Sequence, residues 1–328
     1  MRVLVLGGTG FVGRAVVDEA LARGDDVTTL NRGHREAAAG VTAVVGDRLA
    51  PHGLDGLRGE WDVVVDTWSA APYAVRDAAS ALEGRTGRYV YVSSRSVYAD
   101  PVVAGAAEDA PAVEAAPDDG GDVDYARAKR GGELAALAVF GDRAVLARAG
   151  LILGPYEDVG RLPWWLTRIA RGGPVLAPGP RDLPLQYVDA RDLARWLLDI
   201  DQGGAYNVVS PPGHATMDEL LTAGVTATGS DARLRWLEPE VLLAAGVQPW
   251  TELPIWLPPG PLYDFLHRGD VTRALATGLT CRPVQETVAD TWAWLQGIGG
   301  AAPQRPDRPP VGLDPAVESR LLAGQVDG

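Results

Sequence analysis

Directly after the apolar run Val3–Leu6 the chain reads Gly7-Gly8-Thr9-Gly10-Phe11-Val12-Gly13. Glycines 7, 10 and 13 stand between a strand pattern and a helix pattern, the context in which such a loop carries weight. Gly7 permits a tight turn, Gly10 lets a pyrophosphate approach backbone N–H groups, and Gly13 lets the helix pack closely on the sheet. Thr9, Phe11 and Val12 complete the loop and the first helical turn, whose positive dipole end faces an anion. These residues, Gly7 and Thr9 to Gly13, form the first candidate binding site. A loop of this kind belongs at the carboxyl edge of a parallel sheet.

The rest of the first half supplies that sheet. Val27–Leu30, Val41–Val45, Asp62–Val65, Tyr89–Val92 and Ala144–Arg148 are short and almost continuously apolar, as expected of parallel strands buried on both faces. Phe11–Arg23 has helical spacing and ends at Gly24, a C-cap glycine. Strand, helix and strand at these intervals predict right-handed crossovers and an α/β fold, a doubly wound parallel Rossmann sheet. After Gly154-Pro155 the texture becomes Pro- and Trp-rich. Leu185–Val188, Tyr206–Val209 and Leu234–Leu237 read as strands there, and Ala190–Ile200, Met217–Ala227, Val284–Leu295 and Pro315–Ala323 as helices. The predicted division is a nucleotide-binding domain at 1–155 plus 185–210 and a smaller mixed α/β substrate-binding region at 156–184 plus 211–296. A linker and C-terminal tail occupy 297–328.

Apolar residues make up 46% and charged residues 22% of the chain, enough for an ordinary core. A net charge of −13 argues against nucleic acid, which needs a basic face. No apolar stretch approaches the roughly 20 residues of a bilayer crossing. The opening apolar run leads straight to glycines, too short for a signal-peptide core. The single cysteine, Cys281, excludes an intrachain disulfide framework, and the 4 histidines show no metal-ligand spacing. The expectation is a cytoplasmic protein with a small-molecule substrate and no metal centre.

The end of the second strand discriminates between dinucleotides. An acid there bonds the ribose 2′-hydroxyl of NAD, whereas arginine accommodates the 2′-phosphate of NADP. The chain has Asn31-Arg32-Gly33-His34-Arg35 and no acid. Arg32 and Arg35 supply charge-assisted contacts to phosphate, which favours NADP(H), with NAD(H) as the other option. Asp66-Thr67-Trp68-Ser69 leaves the fourth strand at the same edge; for Asp66 a structural role and a cofactor contact are equally supported.

Tyr125 and Lys129 are spaced to share one face of a helix, with Cβ atoms about 6 Å apart. An ammonium beside a phenol favours its ionised form. Ser94 closes the strand-like segment Tyr89–Ser94 at the carboxyl edge, where a hydroxyl can orient a substrate oxygen. Ser93 and Ser96 read as ordinary strand-end hydroxyls.

The Gly-x-x-Gly-x-x-Gly spacing, the Ser93-Ser94-Arg95-Ser96-Val97-Tyr98 segment and Tyr125-x-x-x-Lys129 resemble the extended and atypical branches of the short-chain dehydrogenase/reductase superfamily. Those branches include the NAD-dependent epimerase/dehydratase family and isoflavone-reductase-like members. The resemblance spans residues 1–295. It implies Tyr125 as general acid/base, Ser94 as its assistant and Lys129 as tuner and cofactor ligand. It also implies that Asp47, with Arg48 beside it, holds the adenine end. Arg148-Ala-Gly-Leu-Ile-Leu-Gly154-Pro155 resembles the strand and loop passing the nicotinamide, with Ala149 where the family has proline. A homodimer through helices of the Rossmann half is implied as well. On the substrate side, Arg161, Trp164, Trp165, Trp250 and Trp256 are candidate pocket residues, though each tryptophan taken singly reads better as a staple of its Pro-rich loop to the core. Arg161 and Arg268 are candidate anion ligands or members of surface ion pairs.

The leading expectation is an NADP(H)-dependent oxidoreductase moving hydride to or from a hydroxyl or carbonyl carbon. The alternative is a nucleotide-sugar-type epimerase/dehydratase holding NAD tightly. A non-catalytic dinucleotide-binding regulatory or RNA-associated protein is the lesser alternative.

Overall fold

The apolar runs become strands because a parallel sheet covered by helices on both faces has no wet side for a polar residue. The computed structural model describes residues 1–324 apart from 102, 303, 306 and 307. In chain order the first half runs β1 (Arg2–Leu6), α1 (Phe11–Ala22), β2 (Asp26–Asn31), β3 (Thr42–Val45), β4 (Trp61–Asp66), α2 (Tyr73–Leu82), β5 (Thr86–Ser94), α3 (Tyr125–Phe140) and β6 (Ala144–Ala149). It continues through β7 (Leu151–Leu153), α4 (Arg161–Ala170), β8 (Pro174–Pro178), β9 (Pro184–Leu185), β10 (Tyr187–Asp189), α5 (Ala190–Asp199) and β11 (Gly204–Val208). The chain ends with β12 (Ala215–Thr216), α6 (Met217–Thr228), β13 (Arg233–Leu237), α7 (Pro239–Ala244), α8 (Pro261–His267), α9 (Thr272–Ala276), α10 (Val284–Gly297) and α11 (Pro315–Ala323).

Two compact units result. The first comprises residues 1–150, 190–209 and 269–280. Its 7-stranded sheet has the order β11-β6-β5-β4-β1-β2-β3, with every neighbouring pair parallel. Strand order reverses at β1, so the crevice of this Rossmann sheet opens beyond the carboxyl ends of β1, β4 and β5. Register places Leu6 opposite Asp66, and Asp66 opposite Tyr91. The glycine loop, the Asp66–Ser69 turn and Ser94 therefore leave the sheet along one edge.

Two buried ion pairs stiffen that edge. Arg48 donates to both oxygens of Asp66, at 2.6 and 2.8 Å, and to the Ala74 carbonyl at 2.7 Å; the Tyr89 hydroxyl donates to the same carboxylate. Glu133 on α3 accepts from Arg148 of β6 at 2.8 and 3.0 Å, from Ser93 of β5 at 2.8 Å and from Arg130 at 2.8 Å. Burial works to lower the Arg148 pKa, but its bonds to Glu133 outweigh this and hold it above the ordinary range. One carboxylate thus joins a helix to two strands.

The second unit comprises residues 151–189, 210–268 and 281–328. Its core gathers Trp165, Leu166, Leu220, Trp256, Val288 and Leu313 among others. Three two-stranded pairings, β10-β7, β12-β9 and β13-β8, lie within it.

The division differs from the expected one in three places. Leu185–Val188 is not one strand of the first unit: β9 pairs with β12 and β10 with β7, broken at buried Gln186. The Gln186 N–H donates to His267 Nδ1 at 3.0 Å and its side chain to the Ser210 carbonyl at 2.8 Å. Residues 269–280 return to the first unit, where Asn207 donates to the Asp270 carbonyl and Trp196 to Thr277. The expected helix at Pro315–Ala323 forms as α11, but it belongs to the second unit rather than to a separate tail. Glu318 of α11 pairs with Arg168 at 2.6 Å and accepts the Leu176 N–H at 3.1 Å, which fastens it to α4 and β8.

Among the described residues no helix is long and apolar enough to cross a membrane, and no group of His, Cys, Asp or Glu is arranged to hold a metal ion.

Asp66→Ala strands a buried guanidinium without its counter-charge. A loss of about 3–5 kcal/mol in unfolding free energy is expected from denaturant titration, and the loss should shrink when Arg48→Met is added. A cost below about 1 kcal/mol for Asp66→Ala contradicts this account of the edge.

Candidate functional site

The glycine loop turns back on itself after β1, with the Gly10 N–H directed at the Gly7 carbonyl at 3.4 Å. Gly7 has φ +105°, where L side chains are strained, and a Cβ there would collide with the Thr67 hydroxyl. A Cβ on Gly13 would overlap the Gly7 carbonyl, so α1 can start this close to the loop only with glycine at that position. Gly10 is different. Its Cβ would meet nothing nearer than the Gly7 oxygen, 3.9 Å away. It is the N-cap of α1, no side chain caps the helix, and no acid stands in its first turn. Two glycines are thus required by the chain's own packing. The third leaves open space before uncapped N–H groups, which fits a dinucleotide pyrophosphate.

Around this loop, the Thr9 hydroxyl donates to Asn31 at the end of β2 at 3.3 Å, and Arg35 donates to the Thr9 carbonyl at 3.2 Å. Arg32 and Arg35 are exposed. Asp47 is half-buried and accepts the Leu49 N–H at 3.0 Å. Arg48 departs from expectation, because its guanidinium turns inward to Asp66 and its charge is spent there.

Ser94 ends β5. Its Oγ accepts the Ser96 N–H at 3.1 Å and lies 3.1 Å from the Ser96 hydroxyl, so Ser96 is its partner. Ser93, pointing the other way, is buried on Glu133. Asp124 caps α3 by accepting the Arg127 N–H at 3.0 Å, which makes Tyr125 the first helical residue, 38% exposed. One turn on, Lys129 is 3% exposed. Its Nζ donates at 2.6 Å to two backbone carbonyls, Val92 of β5 and Trp68 in the turn after β4. Glu133, a further turn along the same face, locks the helix to β5 and β6.

Sequence reasoning missed three contributors: the Trp68 carbonyl, the Val92 carbonyl and Glu133. The carbonyls leave no side-chain signal. Glu133 could have been found as the next step of the Tyr125–Lys129 spacing. A further signal was legible: of the chain's 30 Lys and Arg residues, Lys129 is the one lysine. A chain that uses arginine at every other cationic position has kept an ammonium here, where one nitrogen must direct protons to two oxygens.

The substrate-side expectations separate. Trp165 is a core residue, fully buried with its indole N–H on the Pro254 carbonyl at 2.7 Å, and Trp256 is likewise buried against the Gly179 carbonyl. Arg268 is an exposed cation paired one turn back with Asp264 at 3.2 Å. Arg161 and Trp250 do meet, guanidinium over indole at 5.1 Å. Beneath them buried Glu157 caps α4, accepting the N–H groups of Arg161 and Leu162 at 2.7 and 3.1 Å. Burial pushes this carboxyl up to about 7, against the Arg161 charge and both N–H groups.

A Rossmann sheet with this glycine loop, matched by a nicotinamide-dependent family model, is that of an enzyme of the short-chain dehydrogenase/reductase type that works with a nicotinamide dinucleotide. The model of the NAD dependent epimerase/dehydratase family matches residues 3–208, and the chain belongs to that family. It is 31% identical over 253 residues, 71% of this chain and 82% of the relative, to the epimerase family protein SDR39U1 of Bos taurus. Among solved structures it is similar to the enzyme WbmH of Bordetella bronchiseptica in complex with NAD+, with a TM-score of 0.64, 20% identity, and 91% of this chain and 99% of that chain covered. It is also similar to the UDP-glucose 4-epimerase of Thermus thermophilus in complex with NAD, with a TM-score of 0.59, 23% identity, and 90% and 99% covered.

The glycines give a paired prediction. Gly13→Ala should lower both the denaturation midpoint and dinucleotide affinity. Gly10→Ala should cost no more than about 1 kcal/mol of stability while weakening dinucleotide binding, read by calorimetry, at least about tenfold. Equal effects of the two substitutions on stability contradict the distinction.

Proposed function

We propose that this chain acts on a hydroxyl-bearing carbon of a small sugar-like molecule, of the nucleotide-sugar kind, as an epimerase or dehydratase whose nicotinamide dinucleotide stays bound and is regenerated in each cycle. Family membership and the UDP-sugar epimerase among the similar structures support this reading over a net oxidoreductase. The observation that carries it is Lys129, the chain's one lysine, buried on the Val92 and Trp68 carbonyls one turn from Tyr125 and two residues of strand from Ser94.

The glycine loop at residues 7–13 would hold the pyrophosphate, and Asp47 the adenine end. When bound, the dinucleotide supplies a reversible hydride acceptor. The Tyr125 phenol oxygen takes the substrate hydroxyl proton and later returns it. Ser94 hydrogen-bonds the same substrate oxygen and fixes its direction, its own lone pair already engaged by the Ser96 N–H. Lys129 offsets the negative charge that develops on the phenol.

Protein purified without added cofactor should release dinucleotide on denaturation, and turnover of a UDP-sugar panel should leave nicotinamide absorbance unchanged. Tyr125→Phe should lower kcat by about 10²–10⁴-fold with dinucleotide affinity within about twofold of wild type. Reduced dinucleotide accumulating in step with product would instead mark a net oxidoreductase, and an undiminished Tyr125→Phe removes the tyrosine from the mechanism.

One observation favours NADP(H) as the dinucleotide: Asn31 stands where an acid would read the ribose, and Arg35 is fastened to the Thr9 carbonyl beside exposed Arg32. Calorimetry with NADPH, NADH, NADP and NAD tests it. Arg35→Ala should weaken the phosphorylated pair by about tenfold and spare the other; equal losses, or a wild-type preference for NAD, overturn it.

A further inference from the structure

Tyr91 has no part in the chemistry above, yet the surroundings of Lys129 converge on it. It lies on β5, fully buried, one residue before Val92. Its hydroxyl donates at 3.1 Å to the Trp68 carbonyl, the oxygen that also receives Lys129 Nζ at 2.6 Å. Its ring stands 5.0 Å, centroid to Nζ, from the same ammonium. Gly132 makes the room, since a Cβ there would collide with the phenol end of the ring.

We propose that Tyr91 is the positioning residue of Lys129, its O–H and ring face together fixing the ammonium on the Trp68 and Val92 carbonyls. The inference deepens the function proposed above, and only its kinetic arm rests on that reading. A carbonyl oxygen has two lone pairs, and at Trp68 one serves the phenol and the other the ammonium. The ring adds a quadrupole attraction within the usual 6 Å of a cation–π contact, in a place that bulk water does not reach. Trp68 is itself anchored, its N–H on Asp66 at 2.9 Å, its indole N–H on the Ala71 carbonyl at 2.9 Å, and the Arg48 guanidinium 5.0 Å over its ring. The charged and titratable groups facing Tyr91 include Asp66 of β4, Arg48 of the turn after β3, Tyr89 of β5, and Tyr125, Lys129 and Glu133 of α3. Burial first, then the negative neighbours, hold its phenol well above the ordinary range, so it stays a donor.

Because Lys129 is the one lysine, [15N]lysine labelling yields a lone side-chain ammonium resonance, and its hydrogen exchange reports how firmly the group is held. Tyr91→Phe keeps the ring and removes the O–H; Tyr91→Leu removes both. Exchange should quicken about tenfold in Tyr91→Phe and the resonance should vanish in Tyr91→Leu. With a substrate from the panel, kcat of Tyr91→Phe should fall about fivefold to tenfold with KM within about twofold, and its denaturation midpoint should stay near that of wild type. Wild-type exchange in Tyr91→Phe overturns the proposal, whether or not kcat falls. If Tyr91→Leu does not fold, Tyr91→Phe alone decides. If no substrate turns over even in wild type, the functional reading fails while the resonance still settles the role of Tyr91.

Discussion

An ammonium taken out of water must find oxygen for its protons, and the Lys129 nitrogen finds it in two backbone carbonyls from different parts of one sheet edge. Desolvating such a charge costs several kcal/mol unless its partners are already in place. The partners here are main chain, so they are in place only when β4, β5 and α3 hold their relative positions. The requirement runs both ways. The lysine is one tie between helix and edge, and its burial is compensated only where the edge holds both carbonyls in place.

That rigidity comes from carboxylates that each serve several elements. Glu133 binds Ser93, Arg148 and Arg130, so the strand position next to Ser94 and the helical turn after Lys129 share one anchor. Asp66 gathers Arg48, Tyr89 and the Trp68 N–H, so the carbonyl that receives the ammonium follows an immobilised turn. Removing either member of such a pair leaves a buried charge alone, which costs more than the pair contributes over an apolar substitute. Their value at this edge is to fix where an ammonium, a phenol and a hydroxyl stand.

Much of the first unit was legible in sequence because its signals are local. The apolar runs at Val3–Leu6, Val27–Leu30 and Tyr89–Val92 are strands, Phe11–Ala22 is a helix, and Gly7 and Gly13 are glycine for steric reasons that their neighbours already suggest. The second unit was harder to read. Trp165 and Trp256 were open to two readings, pocket aromatic or staple of a Pro-rich loop to the core, because a tryptophan there carries no mark of the side it will face. Both turn into the core, the reading preferred for each. Arg48 sat beside a motif residue but was claimed by Asp66, a partner far along the chain. The run Leu185–Val188 was strand-like, yet no local signal showed that Gln186 would divide it between two pairings.

The sequence by itself determined that a strand, a glycine turn and a helix would meet in the order a dinucleotide requires, and that Tyr125 and Lys129 would share a helix face. Both follow from short-range geometry, the strand's period of two and the helix's period of 3.6. Only the tertiary structure decided what that helix face meets: a carbonyl from the turn after β4, another from β5, and the ring of Tyr91. Those partners are main-chain atoms and a buried ring brought together by sheet register, and register depends on long-range pairing that no local pattern encodes.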